Sequence, residues 1–235
     1  MARATVNGRT PEYADMGDRL REARQARGLS LRALAEQLGV SPSLISQVEN
    51  GRARPSVSTL YAIATHLGIS LDELLFIDAR RPASAPRADI ADTGAGDALG
   101  AVVPRDPVQR ASTRKRIRLA SGVVWERLTT ASIPNVDFLY VTYEVGGASS
   151  PEHEFQRHAG QEWGYVLEGQ LGVTIGFDDY ELGPGDAIAF ESTTPHRLYN
   201  KGSVPVHGIW FVQGRRPLNL HRAASELLAE ELARH

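Results

Sequence analysis

The stretch "HAGQEWGYVLEG", residues 158–169, sets His158 and Glu162 at the mouth of an apolar run with three residues between them. An imidazole nitrogen and a carboxylate oxygen are ligands that first-row divalent metals accept together. The pair therefore raises a metal site that either does chemistry or only senses. Two residues do not decide between these, and the elements that position them must be read first.

The chain has 235 residues, enough for two modest domains or one large one. Its 42% hydrophobic and 23% charged content place it among ordinary globular proteins. With no cysteine, disulfides, cysteine-ligated zinc and thiol chemistry are excluded. No apolar run approaches the roughly 18 residues a membrane span needs. The first twenty residues, "MARATVNGRTPEYADMGDRL", lack the apolar core of a signal peptide. The expectation is a cytoplasmic protein without a membrane partner. A net charge of −2 gives no basic field over the whole chain, so nucleic-acid binding would need a local surface. Residues 1–54 lean that way, with nine arginines against six acids.

The chain reads in three parts and a tail. Over residues 16–77 the apolar spacing is helical: Leu20 and Ala23, then Leu31, Leu34, Ala35 and Leu38, then Leu44, Ile45 and Val48. Residues 78–112 are rich in Ala, Pro, Gly and Asp without a sustained period, and read as a linker. Over residues 113–213 short β-rich runs such as "VDFLYVTYEV", "WGYVLEG" and "VHGIWFV" alternate with turn residues, which predicts an antiparallel barrel or sandwich. "LGPGD" (182–186) lies between two such runs with no helix after it, so it reads as a hairpin turn and not a phosphate loop. Residues 214–235 end in "HRAASELLAEELARH", whose Leu227, Leu228 and Leu232 predict a short amphipathic helix.

The first part carries helix punctuation. Ser30 suits a helix N-cap, Gly39 an end, and Ser41 a second N-cap with Pro42 in the first turn, where its missing N–H costs nothing. "ENG" then closes the second helix with a glycine. Two short helices joined by a tight turn form a helix-turn-helix, although a small helical protein-interaction domain would share the spacing. Residues 17–75 resemble the XRE family of lambda-repressor-type DNA-binding domains, on "GLS", "LGVS", "IS", "ENG" and "LGIS". The resemblance implies a five-helix domain that reads double-stranded operator DNA with its second short helix. It places Ser41, Ser43, Ser46 and Gln47 toward the major groove and Arg52 and Arg54 on phosphates. It also pairs Glu49 with Arg24 of the first helix, as structure and not as a base contact.

The second part resembles the cupins. "QRHAGQEWGYVLEG" aligns His158, Glu162 and Gly169 with the first cupin motif, and "GPGDAIAFESTTPHRLYN" aligns Gly185, His196 and Asn200 with the second. Two positions depart: Gln156 stands for the first histidine of the usual pair, and Glu191-Ser192-Thr193 for the usual Pro-x-Gly. The resemblance implies a jelly-roll-like β-barrel. Its candidate ligands are His158, Glu162 and His196 for Zn, Ni, Mn or Fe, with Gln156 a candidate fourth. If Ala159-Gly160-Gln161 turn a hairpin, His158 and Glu162 face each other about 5 Å apart at Cβ. Tyr199 and His207 join Gln156, His158, Glu162 and His196 as candidate effector-pocket residues, while Trp163 and Tyr165 are expected to pack.

Two functions follow. One is a transcriptional regulator, a repressor, whose cupin senses a small-molecule effector and which pairs as a homodimer or higher even oligomer to reach two half-sites. The other is a mononuclear non-haem iron enzyme like the hydroxypropylphosphonic acid epoxidase family, which joins the same two domains and also uses a His-x-x-x-Glu and His triad. The polar or basic, sterically modest recognition positions favour the regulator. So does the scarcity of lysine, Lys115 and Lys201 alone, which leaves Arg127, Arg157 and Arg197 as candidate phosphonate-binding cations.

Overall fold

A computed structural model describes residues 11–69, 71–75, 107–133 and 135–214. The amphipathic tail 215–235 and most of the 78–112 linker lie outside these residues. The helical part comprises α1 (Pro11–Ala26), α2 (Leu31–Leu38), α3 (Pro42–Glu49), α4 (Val57–Leu67) and the single turn α5 (Leu71–Leu75). The first helix begins at Pro11 and not at Met16, because Tyr13 is buried and extends the stripe of Met16 and Leu20 one turn upstream.

Ser30 and Ser41 cap α2 and α3 as the punctuation predicts, and Ser56 caps α4 in the same way. Ser30 Oγ accepts from Ala33 N–H at 3.0 Å, Ser41 Oγ from Leu44 N–H at 3.1 Å, and Ser56 Oγ from Thr59 N–H at 3.0 Å. Gly39, at φ 66°, ends α2 in the left-handed region that its missing Cβ permits, so α3 turns away after Val40 and Ser41. Leu20, Leu34, Ile45, Val48, Leu60, Ile63 and Leu67 fill the space between the helices and are fully buried.

A 3-10 turn at Ala111–Thr113 leads into the strands. They are β1 (Arg116–Arg118), β2 (Val123–Arg127), β3 (Val136–Tyr143), β4 (Gln161–Glu168), β5 (Leu171–Ile175), β6 (Asp178–Leu182), β7 (Ala187–Glu191), β8 (His196–Tyr199) and β9 (Val206–Gln213). The pattern of short apolar runs misses only β1, whose one apolar residue is Ile117 between two exposed arginines. Two antiparallel sheets result, ordered β1-β2-β3-β9-β4-β7 and β6-β5-β8. Along β9, Val206, Gly208, Trp210 and Val212 point inward and the residues between them outward. Residues 183–186 are not a hairpin turn: β6 pairs with β5 and β7 with β4, so this segment carries the chain from one sheet to the other.

The helical part sits against the start of the larger sheet. Ala120 N–H donates to Pro55 O at 3.0 Å and Val57 N–H to Ser121 Oγ at 3.4 Å. The Tyr13 hydroxyl donates to Arg118 O, and the Tyr61 ring meets Trp125 edge-on, centroids 6.0 Å apart. Among the described residues no helix is long and apolar enough to cross a membrane.

Candidate functional site

On α3 the candidate groove residues divide by role. Ser43 and Gln47 are exposed one turn apart, with Gln47 Nε2 3.4 Å from Ser43 Oγ. Ser41 is exposed but its hydroxyl is engaged as the cap. Ser46 is half-buried, and Asn50 Nδ2 donates to its carbonyl at 2.7 Å. Arg52 is exposed just past the helix, while Arg54 lies over the Tyr13 ring at 5.6 Å. Beneath this surface Arg24 grips Glu49 with two nitrogens, Nε to Oε1 at 2.5 Å and Nη2 to Oε2 at 3.0 Å. The hydrogen bond that Arg24 donates to Glu49 raises the Arg24 pKa above its ordinary value against the opposing effect of burial.

Inside the sheets, His158, Glu162 and His196 are brought together, with candidate ligand atoms within 4.8 Å of one another. His158 Nε2 lies 2.8 Å and His196 Nε2 3.4 Å from Glu162 Oε1, and all three side chains are almost completely buried. The expected hairpin is not what joins them. The segment before β4 pairs with the β7–β8 connection: Gln156 bridges His196, His158 N–H donates to Ser192 O at 3.0 Å, and Ser192 N–H donates to Gly160 O at 2.9 Å. Sequence-adjacent strands pair often enough to make a hairpin the natural expectation, but the longer-range ladder wins here.

The hydrogen bonds around the triad set its chemistry. His158 Nδ1 is 3.0 Å from Ala159 O and His196 Nδ1 is 2.9 Å from Thr194 O. A carbonyl only accepts, so both Nδ1 atoms carry a proton toward it and both rings turn Nε2 inward, toward Glu162. Two imidazole nitrogens thus converge on one carboxylate oxygen, an arrangement that a divalent cation or shared protons would satisfy. His158 Nε2 is buried with no hydrogen bond of acceptable geometry. Glu162 Oε2 is held by Trp210 Nε1 at 2.7 Å. Backbone and indole partners that orient each ligand are the second layer divalent metal sites use, and the residues fit such an ion.

The other candidates fall on both sides of the sheets. Gln156 is buried beside the triad, but its amide nitrogen donates to Ser149 O at 3.1 Å, leaving Oε1 as its acceptor. Tyr199 and His207 do not belong to the pocket. Strand parity sends them outward, opposite to His196 and Trp210: the Tyr199 ring lies under Arg197 and Lys201, and His207 Nδ1 is 3.1 Å from Thr142 Oγ1. Trp163 and Tyr165 do not pack inside; they are 37% and 45% exposed on the outer face of the larger sheet, with Trp163 against Phe211. A small cavity of about 20 Å³ beside the triad is walled by Tyr143, Gln156, Glu162 and Trp210, and also by Val57 and Tyr61 of α4. Burial together with the Glu162 charge pushes the Tyr143 hydroxyl well above its ordinary pKa, so it stays neutral. Sequence reasoning missed Trp210, Tyr143 and Tyr61. Each looks like an ordinary apolar position in its own strand or helix, with nothing local to mark its partner.

Residues 20–74 match the helix-turn-helix family and residues 139–212 the cupin domain family. The chain is 31% identical over 186 residues to the HTH-type transcriptional regulator PuuR of Escherichia coli K12, covering 78% of this chain and 86% of that protein. It is 28% identical over 188 residues to the HTH-type transcriptional regulator SutR of the same organism, covering 80% and 88%. An HTH_3 family transcriptional regulator from Vibrio cholerae superposes with a TM-score of 0.57 at 21% identity, over 87% of this chain and 98% of that one, which shows a shared fold.

Proposed function

The chain belongs to the HTH-type transcriptional regulators that carry a C-terminal cupin domain, and we propose that it is a repressor whose cupin senses a small-molecule effector at His158, Glu162 and His196. Residues 16–77 form a five-helix, lambda-repressor-like reading head, 78–112 a linker, 113–213 a barrel-shaped sensor walled by the two sheets, and 214–235 a tail. In the head, Gln47 reads adenine edges, with Ser41, Ser43 and Ser46 at the groove and Arg52 and Arg54 on phosphates. The exposed side chains of Ser43, Gln47 and Arg52 support this assignment.

The single observation that carries the sensing role is the convergence of two buried imidazole Nε2 atoms on Glu162 Oε1. His158, Glu162 and His196 would hold a divalent ion, Zn, Ni, Mn or Fe, with Gln156 Oε1 a candidate fourth ligand. When bound, the ion supplies a positive Lewis-acid centre that anchors an anionic or chelating effector. Trp210 orients Glu162, and the carbonyls of Ala159 and Thr194 keep both imidazoles in the ligand tautomer. We read the protein as a regulator and not an enzyme on its named relatives.

An apolar outer face supports a homodimer, in which two heads reach two operator half-sites. Phe138, Trp163, Tyr165 and Phe211 lie there on adjoining strands, three of them more than a third exposed. The deciding experiment pairs metal analysis of untagged protein with operator binding, with and without candidate chelating effectors. A bound ion and an effector-dependent change in DNA affinity are expected; Fe(II)- and O₂-dependent consumption of the ligand would move the protein to the enzyme class.

A further inference from the structure

Tyr61 reaches the triad from outside the domain that holds it. Along α4, Leu60, Ile63, Ala64 and Leu67 are buried in the helical core, while Val57 and Tyr61, one turn apart, project toward the sheets. The Tyr61 ring stacks on the His158 imidazole with centroids 5.0 Å apart and planes inclined by 12°. We infer that the DNA-reading head plugs the sensor pocket with Tyr61, so that a docked head and an effector of several heavy atoms exclude one another. This rests on the sensing role proposed above for His158, Glu162 and His196.

Size carries the first half of the inference. A cavity of about 20 Å³ accepts one water or a bare ion. An organic ligand needs on the order of 300 Å³ or more. One of the walls must therefore give way. Tyr143, Glu162 and Trp210 stand on strands locked in ladders, and Gln156 is tied to Ser149 and to His196. Tyr61 is different, because it stands on a helix and not in a ladder of the sheets. The contacts between the helical part and the sheets include Pro55, Val57 and Tyr61 against Ala120, Ser121 and Trp125, and Tyr13 on Arg118, within one continuous apolar cluster. Tyr61 is the aromatic wall that no strand ladder holds in place.

Connectivity carries the second half. Tyr61 sits mid-helix, and Leu60 and Ile63 on either side tie α4 to the core that supports the recognition helix. Expelling the ring thus frees the head and not a loop. Ser43, Gln47 and Arg52 remain exposed in the docked state, so docking orients the DNA-reading face without covering it. In a paired molecule that orientation sets the distance between the two recognition helices, which operator half-sites require at about one DNA turn. A bare metal ion leaves Tyr61 in place, whereas a chelating ligand on that ion does not.

The test uses the full chain, cobalt(II) as the metal and oxalate as a chelating dianion. Without ligands, Tyr61→Ala should raise amide hydrogen exchange across residues 55–63 and 118–125 about tenfold or more, and Tyr61→Phe should leave it at the wild-type level. Cobalt(II), followed by its visible absorption, should bind all three proteins equally. Oxalate should then bind cobalt-loaded Tyr61→Ala about tenfold or more tighter than wild type, because no head competes. In the wild type it should raise exchange at those same segments. Should Tyr61→Ala fail to fold, Tyr61→Leu keeps apolar bulk on α4 and supports the same comparison. Wild-type exchange in the ring-deleted variant, or equal oxalate affinities, overturns the inference. Failure of cobalt(II) to bind removes the metal reading alone, and the ligand-free exchange still decides the role of Tyr61.

Discussion

Arg24 on α1 and Glu49 at the end of α3 form a two-pronged ion pair whose side chains are 9% and 2% exposed. Arg24 Nη1 also donates to Leu29 O at 2.7 Å, and Arg21 approaches Glu49 Oε2 at 3.4 Å from the solvent side. The carboxylate is therefore the hub that fixes the recognition helix on the first helix. Glu49→Ala strands a buried guanidinium and should cost about 3–5 kcal/mol of stability. Chemical denaturation of the full chain, followed by helical circular dichroism, checks this. An unchanged helical transition would mean that the pair contributes nothing.

Readout and affinity separate on the DNA-reading face. Gln47 is exposed and can offer a bidentate contact to adenine, so Gln47→Ala should cost about 1–3 kcal/mol at the selected operator and little on random DNA. Arg52→Ala should weaken both and lower the salt slope by about 0.9. Fluorescence anisotropy at several salt concentrations, on operator fragments selected from the host genome, measures all of this. Indifference of both variants on every DNA tested would end the assignment of α3 as the reading helix.

The outer face of the larger sheet predicts assembly. Phe211 lies between Phe138 and Trp163, with ring centroids 6.1 Å and 5.6 Å away, so a charge there meets apolar neighbours on two sides. Phe211→Glu should convert a dimer to monomers in sedimentation velocity while leaving the metal-binding spectrum intact, because Phe211 points away from Trp210 and the triad. A variant that sediments as wild type would exclude this face as the contact.

The legible and illegible parts of this chain divide by range. Ser30, Ser41 and Gly39 act on backbone groups within one turn, so the helix-turn-helix was readable from local punctuation. His158, Glu162 and His196 were readable as a set through their motif spacing. The reason for their meeting was not: a three-residue turn looked sufficient, while the actual ladder joins residues 156–160 to 192–196. Tyr199 and His207 were misplaced by strand parity, which is decided by pairing and not by nearness in sequence. Tyr61 could not be found at all, because its spacing from Val57 and Leu60 is that of any core position on an amphipathic helix. Only the docking of one domain on another gives that ring its partner.

Trp210 provides the sharpest test of how the triad is held. Its indole N–H occupies Glu162 Oε2, which leaves Oε1 facing both imidazoles. Trp210→Phe keeps the ring in the core but removes the donor, so the carboxylate loses its fixed orientation. Loss of such an outer partner costs about 10–100-fold in metal affinity at comparable sites. Gly164 supplies an independent route to the same effect. A Cβ added there would collide with the Trp210 ring, so Gly164→Ala must push the indole off its seat. Both variants should therefore bind cobalt(II) more weakly by about that factor, and Gly164→Ala should also lose about 1–3 kcal/mol of stability through overpacking. Paired titrations and melts separate the two effects. Undiminished cobalt affinity in Trp210→Phe would show that Glu162 needs no help from the indole, and the triad would then be oriented by its backbone contacts alone.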